Sequence, residues 1–355
     1  MDPRTPRLTR AAIWTGDGLT VEQVAVPALR PDDTLVRVRL ATVCGSDLHT
    51  VTGRRSGPCP SVLGHEAVGE VVVPGARTGL AAGERVVWSV TVSCGQCVRC
   101  RAGRRAKCVS VRKVGHEHFD GDWPLSGAYA EHLVLPAGTT IVPVPTEVPD
   151  RVAAPAACAT ATALAALDAA GPLAGRRVLI YGAGMLGVTA TAACVMSGAT
   201  VHTVDLDPHR VRLARRFGSS GLSGPVDVAI DFSGSTEALG EALDRLDVGG
   251  VLVLAGSVSP APALPVDPEL IVRRWLTLTG VHNYEPQHLR DAVAFLRHSR
   301  DRFDWPALVD DPVGLDDIAA ALMPAPTGRL RKAVSPGLPP RTAARNSPGS
   351  RPPDS

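Results

Sequence analysis

Two short segments of this 355-residue chain hold side chains suited to a catalytic metal. Cys44 opens the segment Cys-Gly-Ser-Asp-Leu-His, and Gly-His-Glu follows at residues 64–66. A thiolate and an imidazole are ligands that zinc prefers, and a catalytic zinc has three protein ligands and one open position. Cys44 and His65 are therefore candidate zinc ligands, and the alternative is a buried cysteine and a core histidine.

Three further polar side chains in the first segment favour the metal site over that alternative. Asp47 is the kind of group that accepts the second N–H of a ligating His65. Ser46 and His49 can pass a proton from a buried alcohol to water. The segment thus predicts both a metal and a route for a proton.

A second motif consists of four cysteines within fifteen residues, in the pattern Cys-x2-Cys-x2-Cys-x7-Cys: Cys94, Cys97, Cys100 and Cys108. Four thiolates at this spacing can close a tetrahedron around zinc and leave no open position for chemistry. The alternative is an iron–sulfur cluster, whose bacterial pattern places the fourth cysteine after three residues and follows it with proline. Because the last gap here is seven residues, the motif predicts a structural zinc.

A glycine-rich turn follows the apolar run 177–181 and opens a helix of small residues. Its predicted contacts with a dinucleotide are Gly182, Gly184, Met185, Leu186 and Gly187. The glycines allow the pyrophosphate to approach the helix N-terminus, whose free N–H groups favour an anion. Asp205 ends the next predicted strand, eighteen residues after the last glycine, and its carboxylate favours NAD over NADP by binding the ribose hydroxyls. Because Arg210 and Arg212 follow Asp205 closely, NADP remains the alternative, less favoured cofactor.

Length and composition bound the rest of the interpretation. The chain is longer than a single hydrophobic core usually supports, so two domains are expected. A net charge of +2 argues against nucleic-acid binding. The sequence contains no run of eighteen apolar residues and no apolar leader near its start, which predicts a cytoplasmic protein without a membrane partner. Its eight cysteines then call for metal or catalytic roles before disulfides.

The elements that position these motifs change character along the chain. Short strands are predicted up to about residue 150, then a helical run at 152–170, and alternating strands and helices from 177. Residues 219–225 are too few for the usual crossover before the next strand, so a sheet of five parallel strands is predicted. Two helices (289–296 and 315–322) and a last strand (329–334) follow, and the Pro/Arg/Ser-rich tail is expected to be disordered.

In this order, the four motifs resemble those of the zinc-dependent medium-chain alcohol dehydrogenases, over roughly residues 10–335. The resemblance implies a GroES-like catalytic domain with both zinc sites at 1–157 and a Rossmann NAD-binding domain at 158–283. A return to the catalytic domain at 284–337 and a tail at 338–355 complete the expected organisation. It also implies Cys158 as the third catalytic ligand, Thr162 as a nicotinamide contact, and Glu66 as a supporting or alternate ligand. The resemblance further implies that the substrate is a small alcohol or aldehyde and that the protein is a homodimer or homotetramer.

Finer motifs resemble a subgroup found with phosphonate metabolism, which implies a hydroxyalkyl phosphonate substrate. Arg54 or Arg55 would then hold the anionic end, because a guanidinium pairs with phosphonate through bidentate bonds. The alternative is that both arginines point into solvent. A polyol, threonine or another neutral secondary alcohol remains open as substrate, as does an inactive zinc- and NAD-binding protein. No role is assigned to Cys59, and His116 and His118 are expected in a surface loop near the cleft.

Overall fold

The structure is a computed structural model that describes residue 2, residues 4–323 and residues 329–339. The predicted tail lies outside the described residues from residue 340 onward. No single described helix is both long and apolar enough to cross a bilayer. One pair of helical segments, Asp150–Ala157 and Ala159–Ala170, meets that criterion only when its two bent halves are taken together.

The first part of the chain forms short β-strands, as its alternating and apolar runs predict. They are β1 (Leu8–Trp14), β2 (Leu19–Ala25), β3 (Thr34–Thr42), β4 (Ser61–Val62), β5 (Ala67–Val73), β6 (Arg85–Val92), β7 (Arg112–Lys113), β8 (His132–Leu135) and β9 (Thr139–Pro143), with short helices α1 (Gly45–Val51) and α2 (Val98–Arg101). Along β3, exposed Arg37 and Arg39 alternate with buried Val38 and Leu40, so the strand turns one face to the core. It pairs with β5 and β8 in an antiparallel sheet.

Residues 128–131 lie just before β8, which begins at His132, and belong to no named strand. These residues bond to two different partners and form no continuous ladder. The Tyr129 N–H donates to the Leu63 carbonyl at 3.0 Å, while the Tyr129 carbonyl accepts from the Ala12 N–H at 2.8 Å. Gly127 makes this crossing possible, because a Cβ there would lie 2.0 Å from the Val62 carbonyl oxygen.

The helical run predicted over 152–170 is broken into three pieces. These are α3 (Asp150–Ala153), a 3-10 turn (Ala154–Ala157) and α4 (Ala159–Ala170), and the axis bends by 53° at the break. Pro155 lacks an N–H and favours the tighter turn. Cys158 lies at the break with φ −134° and ψ −72°, outside helical geometry, and its side chain therefore turns out of the helix.

The nucleotide-binding region alternates strands and helices around one parallel sheet. Its elements are β10 (Arg177–Tyr181), α5 (Met185–Met196), β11 (Thr200–Val204), α6 (Pro208–Arg216), β12 (Val226–Asp231), α7 (Thr236–Arg245), β13 (Leu246–Leu254), α8 (Pro268–Arg274) and β14 (Thr277–Gly280). Within the described residues the sheet has five strands in the order β11-β10-β12-β13-β14. The prediction of a shortened five-stranded sheet is confirmed, and β11 is its edge strand because no crossover follows α6.

The chain then returns to the first domain. Its last elements are α9 (Pro286–Ser299), β15 (Val309–Val313), α10 (Ile318–Ala321) and β16 (Arg331–Val334). The helix predicted over 315–322 is a 3-10 turn (Leu315–Asp317) followed by the short α10. Strand β16 pairs antiparallel with β3, and a shared core joins Val90 of β6 to Met185 of α5 and Leu289 of α9.

Candidate metal and cofactor sites

Three potential ligands from distant parts of the chain meet beside helix α1. Cys44 is the residue before α1, His65 lies between β4 and β5, and Cys158 lies at the bend before α4. Their ligand atoms all lie within 4.8 Å of one another, and the two sulfur atoms are 4.0 Å apart. A Zn–S bond of about 2.3 Å implies an S···S separation of about 3.8 Å in a tetrahedron, so the donor set fits zinc.

The two nitrogen atoms of the His65 ring have different neighbours. Nε2 points toward Ser46, whose Oγ is 3.3 Å away, and Nδ1 lies 3.4 Å from Asp47 Oδ1. The other Asp47 oxygen accepts from the Tyr129 hydroxyl at 3.1 Å and the Cys44 N–H at 2.9 Å. Asp47 is thus held beside Nδ1 of the ring, where it can fix the ring's orientation.

The electrostatics of the site favour thiolate at Cys44. The hydrogen-bonded Cys158 thiol lowers the pKa of Cys44 against the effect of burial, with further help from Arg331 and His65. The same contact raises the pKa of Cys158, so one proton is shared between the two thiols. Burial opposes a charge on His65, but Asp47 raises the pKa of the imidazole. A metal cation would take the place of these protons.

Glu66 is fully buried behind the ligands, and its partner comes from the other end of the chain. Arg331 on β16 donates from Nε to Glu66 Oε1 at 3.2 Å, and its Nη2 lies 3.9 Å from Cys44 Sγ. Burial raises the pKa of Glu66 to about 7, and Arg331 acts against that shift. Sequence reasoning named Glu66 but missed Arg331, because no local motif marks a partner 265 residues away.

Ser46 and His49 both lie on α1, three residues apart, and both are half-buried. A separation of three residues places their side chains on one face of a helix. The His49 carbonyl also accepts the Arg55 N–H at 3.0 Å, which ties the following loop to α1. The two side chains thus lie between the ligand cluster and the more exposed loop.

The cysteine tetrad forms a compact cluster on a separate lobe. All four sulfur atoms lie within 4.8 Å of one another, and Cys108 Sγ is 3.5 Å from Cys94 Sγ and 3.9 Å from Cys97 Sγ. Backbone N–H groups point at the sulfurs, including Cys94 N to Cys108 Sγ at 3.4 Å and Cys100 N to Cys97 Sγ at 3.5 Å. These donors stabilise thiolates, and the closed set of four fits a structural zinc.

The glycine turn has the geometry that a pyrophosphate requires. Gly182 has φ 94°, and a Cβ on Gly187 would lie 1.7 Å from the Gly182 carbonyl oxygen, so both positions require glycine. Helix α5 begins after Gly184 without a side-chain cap, which leaves its first N–H groups free for an anion. Met185 and Leu186 form the first turn of that helix.

Asp205 follows β11 and holds the glycine turn. Its carboxylate accepts the Ala183 N–H at 2.7 Å and the Asp207 N–H at 2.9 Å. Arg210 is exposed and lies 3.8 Å from Asp207 rather than beside Asp205. Arg212 is exposed as well and contacts His209. Thr162 lies one turn into α4, half-buried, with its N–H bonded to the Cys158 carbonyl at 3.0 Å.

The two candidate substrate arginines lie in the loop after α1 and differ in burial. Arg54 is exposed, whereas Arg55 is half-buried. His116, expected at the surface, is half-buried near the cleft, with its ring centroid 5.2 Å from that of His65. Burial, and then the charge of His65, lower the pKa of His116 to about 4. His118 is exposed, as expected, and Cys59 is exposed as well.

Comparisons with known proteins agree with this arrangement. Residues 30–146 match the alcohol dehydrogenase GroES-like domain, and residues 186–298 match the zinc-binding dehydrogenase family. The chain is 30% identical to an L-threonine 3-dehydrogenase of Rhizobium rhizogenes over 344 residues, covering 89% of this chain and 94% of the relative. It is 31% identical to an L-threonine 3-dehydrogenase of Deinococcus deserti, covering 92% and 96%.

Solved structures are similar over nearly the whole chain. An alcohol dehydrogenase from Thermotoga maritima superposes with a TM-score of 0.84 at 25% identity, covering 92% of this chain and 99% of the other. A protein assigned as a zinc-binding dehydrogenase from Sinorhizobium meliloti 1021, bound to NADP, gives 0.83 at 26% identity, covering 93% and 100%. The chain is therefore an oxidoreductase that belongs to the zinc-dependent medium-chain alcohol dehydrogenase family.

Proposed function

We propose that this enzyme transfers a hydride between NAD and a small alcohol or aldehyde at a zinc held by Cys44, His65 and Cys158. The observation that carries the proposal is the convergence of these three ligand atoms within 4.8 Å at the inner end of a proton path. A second zinc at the tetrad supports the lobe. In this proposal residues 1–157 and 284–337 form the catalytic domain and residues 158–283 bind the cofactor.

Zinc held by these ligands would supply Lewis-acid chemistry that lowers the pKa of an alcohol, and NAD held at the glycine turn would supply the hydride acceptor. The protein's own residues bind, orient and move the proton. Asp47 orients the His65 ring from 3.4 Å, and the Ser46 hydroxyl, 3.3 Å from Nε2 of that ring, is placed to take the alcohol proton. His49, on the same face of α1, passes that proton to solvent.

The cofactor is held at the glycine turn. The free N–H groups at the start of α5 bind the pyrophosphate, and Asp205 binds the ribose hydroxyls of NAD. Because Arg210 is directed at Asp207, it does not offer a ready partner for the extra phosphate of NADP. The family resemblance implies that Thr162, one helical turn after Cys158, contacts the nicotinamide.

For the substrate we propose a hydroxyalkyl phosphonate, on the strength of the sequence motifs and of the half-buried Arg55. L-Threonine is the second candidate, because relatives that are 30% and 31% identical carry that activity in their names. The two candidates differ in charge at the end away from the hydroxyl group. A phosphonate is an anion, whereas threonine carries an ammonium beside its carboxylate.

The test is NADH formation by purified enzyme with NAD and a panel of neutral alcohols, L-threonine and 2-hydroxyethylphosphonate. Oxidation of any of these, lost in Cys158→Ala and reduced in Ser46→Ala and His49→Asn, is the expected result. A zinc-replete enzyme that reduces NAD with no member of an extended alcohol panel would establish the inactive zinc- and NAD-binding protein instead. We also propose that the enzyme acts in the cytoplasm as a homodimer or homotetramer. Sedimentation velocity would measure the number of subunits.

A further inference from the structure

Four nitrogen-bearing side chains from four separate segments lie close enough for their charges to act on one another. Arg55 follows α1, Lys107 lies in the zinc lobe, Lys113 ends β7, and His282 follows β14 in the nucleotide-binding domain. Lys107 Nζ lies 2.8 Å from His282 Nδ1, so the group bridges the two domains. Arg55 and Lys113 are half-buried, whereas Lys107 and His282 are exposed. We call these four residues the cationic cluster.

The cations of this cluster have no counterion among the residues that the structure describes. Across the described residues, no carboxylate oxygen lies within 4.0 Å of the charged atoms of Arg55, Lys107 or Lys113, although many arginines elsewhere are ion-paired. The nearby carboxylates already have other partners. Glu117 accepts from the Arg112 side chain and the Lys113 backbone N–H, and Glu285 accepts two backbone N–H groups of the zinc lobe.

Burial, together with the positive charges of the cluster, lowers the pKa values of Lys113 and His282. Burial, and then Arg55 and Lys107, lower the pKa of Lys113. Desolvation, followed by the charges of Lys107, Lys113 and Arg55, lowers the pKa of His282 to about 4. Gathering like charges without a counterion destabilises the free protein, and an anion bound among them would relieve that repulsion.

His282 offers the anion a neutral donor as well. Lys107 is a donor only, so Nδ1 of His282 accepts its hydrogen bond at 2.8 Å. The other ring nitrogen, Nε2, then carries the proton and is free to donate to an oxygen atom. The cluster therefore combines three cations with one directed N–H, a set that matches the several oxygens of a tetrahedral dianion better than a single carboxylate.

The cluster lies next to the reaction centre. The His116 ring lies 5.2 Å from the ring of the candidate ligand His65, and the His116 backbone N–H donates to the Lys113 carbonyl at 3.1 Å. The backbone of Arg55 is bonded to His49 on the proposed proton path. Two short links, through His116 and through His49, thus connect the cluster to the candidate metal site.

We propose that Arg55, Lys107, Lys113 and His282 form an anion subsite that binds the phosphonate or phosphate end of the substrate while its hydroxyl group reaches the zinc. The proposal rests on the dehydrogenase function and names its substrate class as small hydroxylated oxyanions. Threonine fits poorly, because its ammonium would face uncompensated cations. Arg55 is the more buried of the two arginines that the sequence left open. The sequence did not indicate the other three members.

The experiment measures anion binding separately from turnover. Zinc-loaded enzyme saturated with NADH, so that the cofactor phosphates already occupy their site, is titrated calorimetrically with inorganic phosphate and then with methylphosphonate. Lys113→Met and Arg55→Met should each weaken binding about tenfold to a hundredfold, the range expected for loss of a charge-assisted hydrogen bond. Lys113→Arg should restore most of it. Arg104→Met, which removes the same charge from an exposed position on the zinc lobe, is the matched control and should leave binding within about twofold.

Turnover then separates this proposal from the dehydrogenase function. Both variants should raise the KM for 2-hydroxyethylphosphonate by a similar factor and leave the kcat/KM for a neutral alcohol within about threefold. If wild-type enzyme oxidises neutral alcohols but binds phosphate no better than Lys113→Met does, the subsite is refuted and the dehydrogenase stands. If phosphate binding depends on Lys113 and Arg55 but no alcohol is oxidised, the subsite stands and the dehydrogenase function is wrong. Tighter binding of acetate than of methylphosphonate would mean that the subsite binds a carboxylate and would contradict the proposed dianion.

Discussion

Replacing Tyr284 with phenylalanine should destabilise the packing of the segment after β14 against β6 and the bend at Cys158. The Tyr284 side chain is 5% exposed, and its hydroxyl accepts the Val90 N–H of β6 at 3.1 Å. The same hydroxyl donates to the Ala157 carbonyl, one residue before the ligand Cys158. One oxygen atom therefore satisfies two buried backbone groups from two different segments.

The magnitude follows from those two groups. Phenylalanine keeps the ring and its packing but leaves the Val90 N–H and the Ala157 carbonyl without their partner. A buried polar group without a hydrogen bond costs about 1–3 kcal/mol, so the variant should lose about 2–4 kcal/mol of unfolding free energy. For a protein with a total stability on the order of 10 kcal/mol, this is a large fraction.

The assay is denaturant unfolding of wild type and Tyr284→Phe at equal zinc content. Tyr181→Phe is the matched control, because Tyr181 is 3% exposed and its hydroxyl makes no hydrogen bond within the described residues. Its loss should change stability by less than about 0.5 kcal/mol or stabilise slightly. Equal stabilities of the two variants would refute the claim that the Tyr284 hydroxyl joins β6 to the Cys158 bend.

Four further predictions concern the metals, the cofactor and pH. Cys94→Ala should reduce zinc from two ions per chain to one in elemental analysis and lower the unfolding midpoint sharply, since zinc binding at such a site is coupled to folding. Cys158→Ala should also lose one zinc but retain the circular dichroism of the wild type; retained activity would place the third ligand elsewhere. Asp205→Ala should narrow the ratio of kcat/KM values for NAD and NADP, and an enzyme that already prefers NADP would contradict the role of Asp205. Hydrogen bonds from Arg177 lower the pKa of Asp227, so the stability difference between wild type and Arg177→Gln should be present at pH 7 and shrink as pH falls below about 4; a difference independent of pH would exclude this ion pair as its source.

Local patterns predicted the parts of this enzyme whose signal is contained in a short segment. The cysteine tetrad and the glycine turn are each closed within fifteen residues, so their spacing alone fixes which groups can meet. The five-stranded sheet was predictable for a related reason. Residues 219–225 are physically too short for a crossover, and a missing edge strand does not disturb the pairs β10–β11 and β10–β12.

The bend at Cys158 was not predictable in the same way. Alanine favours a helix wherever it occurs, so the run over 152–170 indicates one continuous helix. The structure breaks it because Cys158 has to leave helical geometry for its sulfur to lie 4.0 Å from Cys44. Pro155 is the local signal of that break, since a proline within a helical pattern tightens or ends it.

Contacts between distant segments account for the rest of what the sequence did not reveal. Lys107 and His282 are 175 residues apart, and neither belongs to a motif that pairs it with the other. The turn that brings them together is short: Asn283 adopts a left-handed conformation with φ 62°, which asparagine tolerates, and Tyr284 follows it into the contact with β6 and the Cys158 bend. His282 and Tyr284 are thus held by one turn, the first at the anion subsite and the second at the carbonyl beside Cys158. In the proposed function, binding an anion at the first position and holding the candidate ligand Cys158 at the second consequently depend on the same turn.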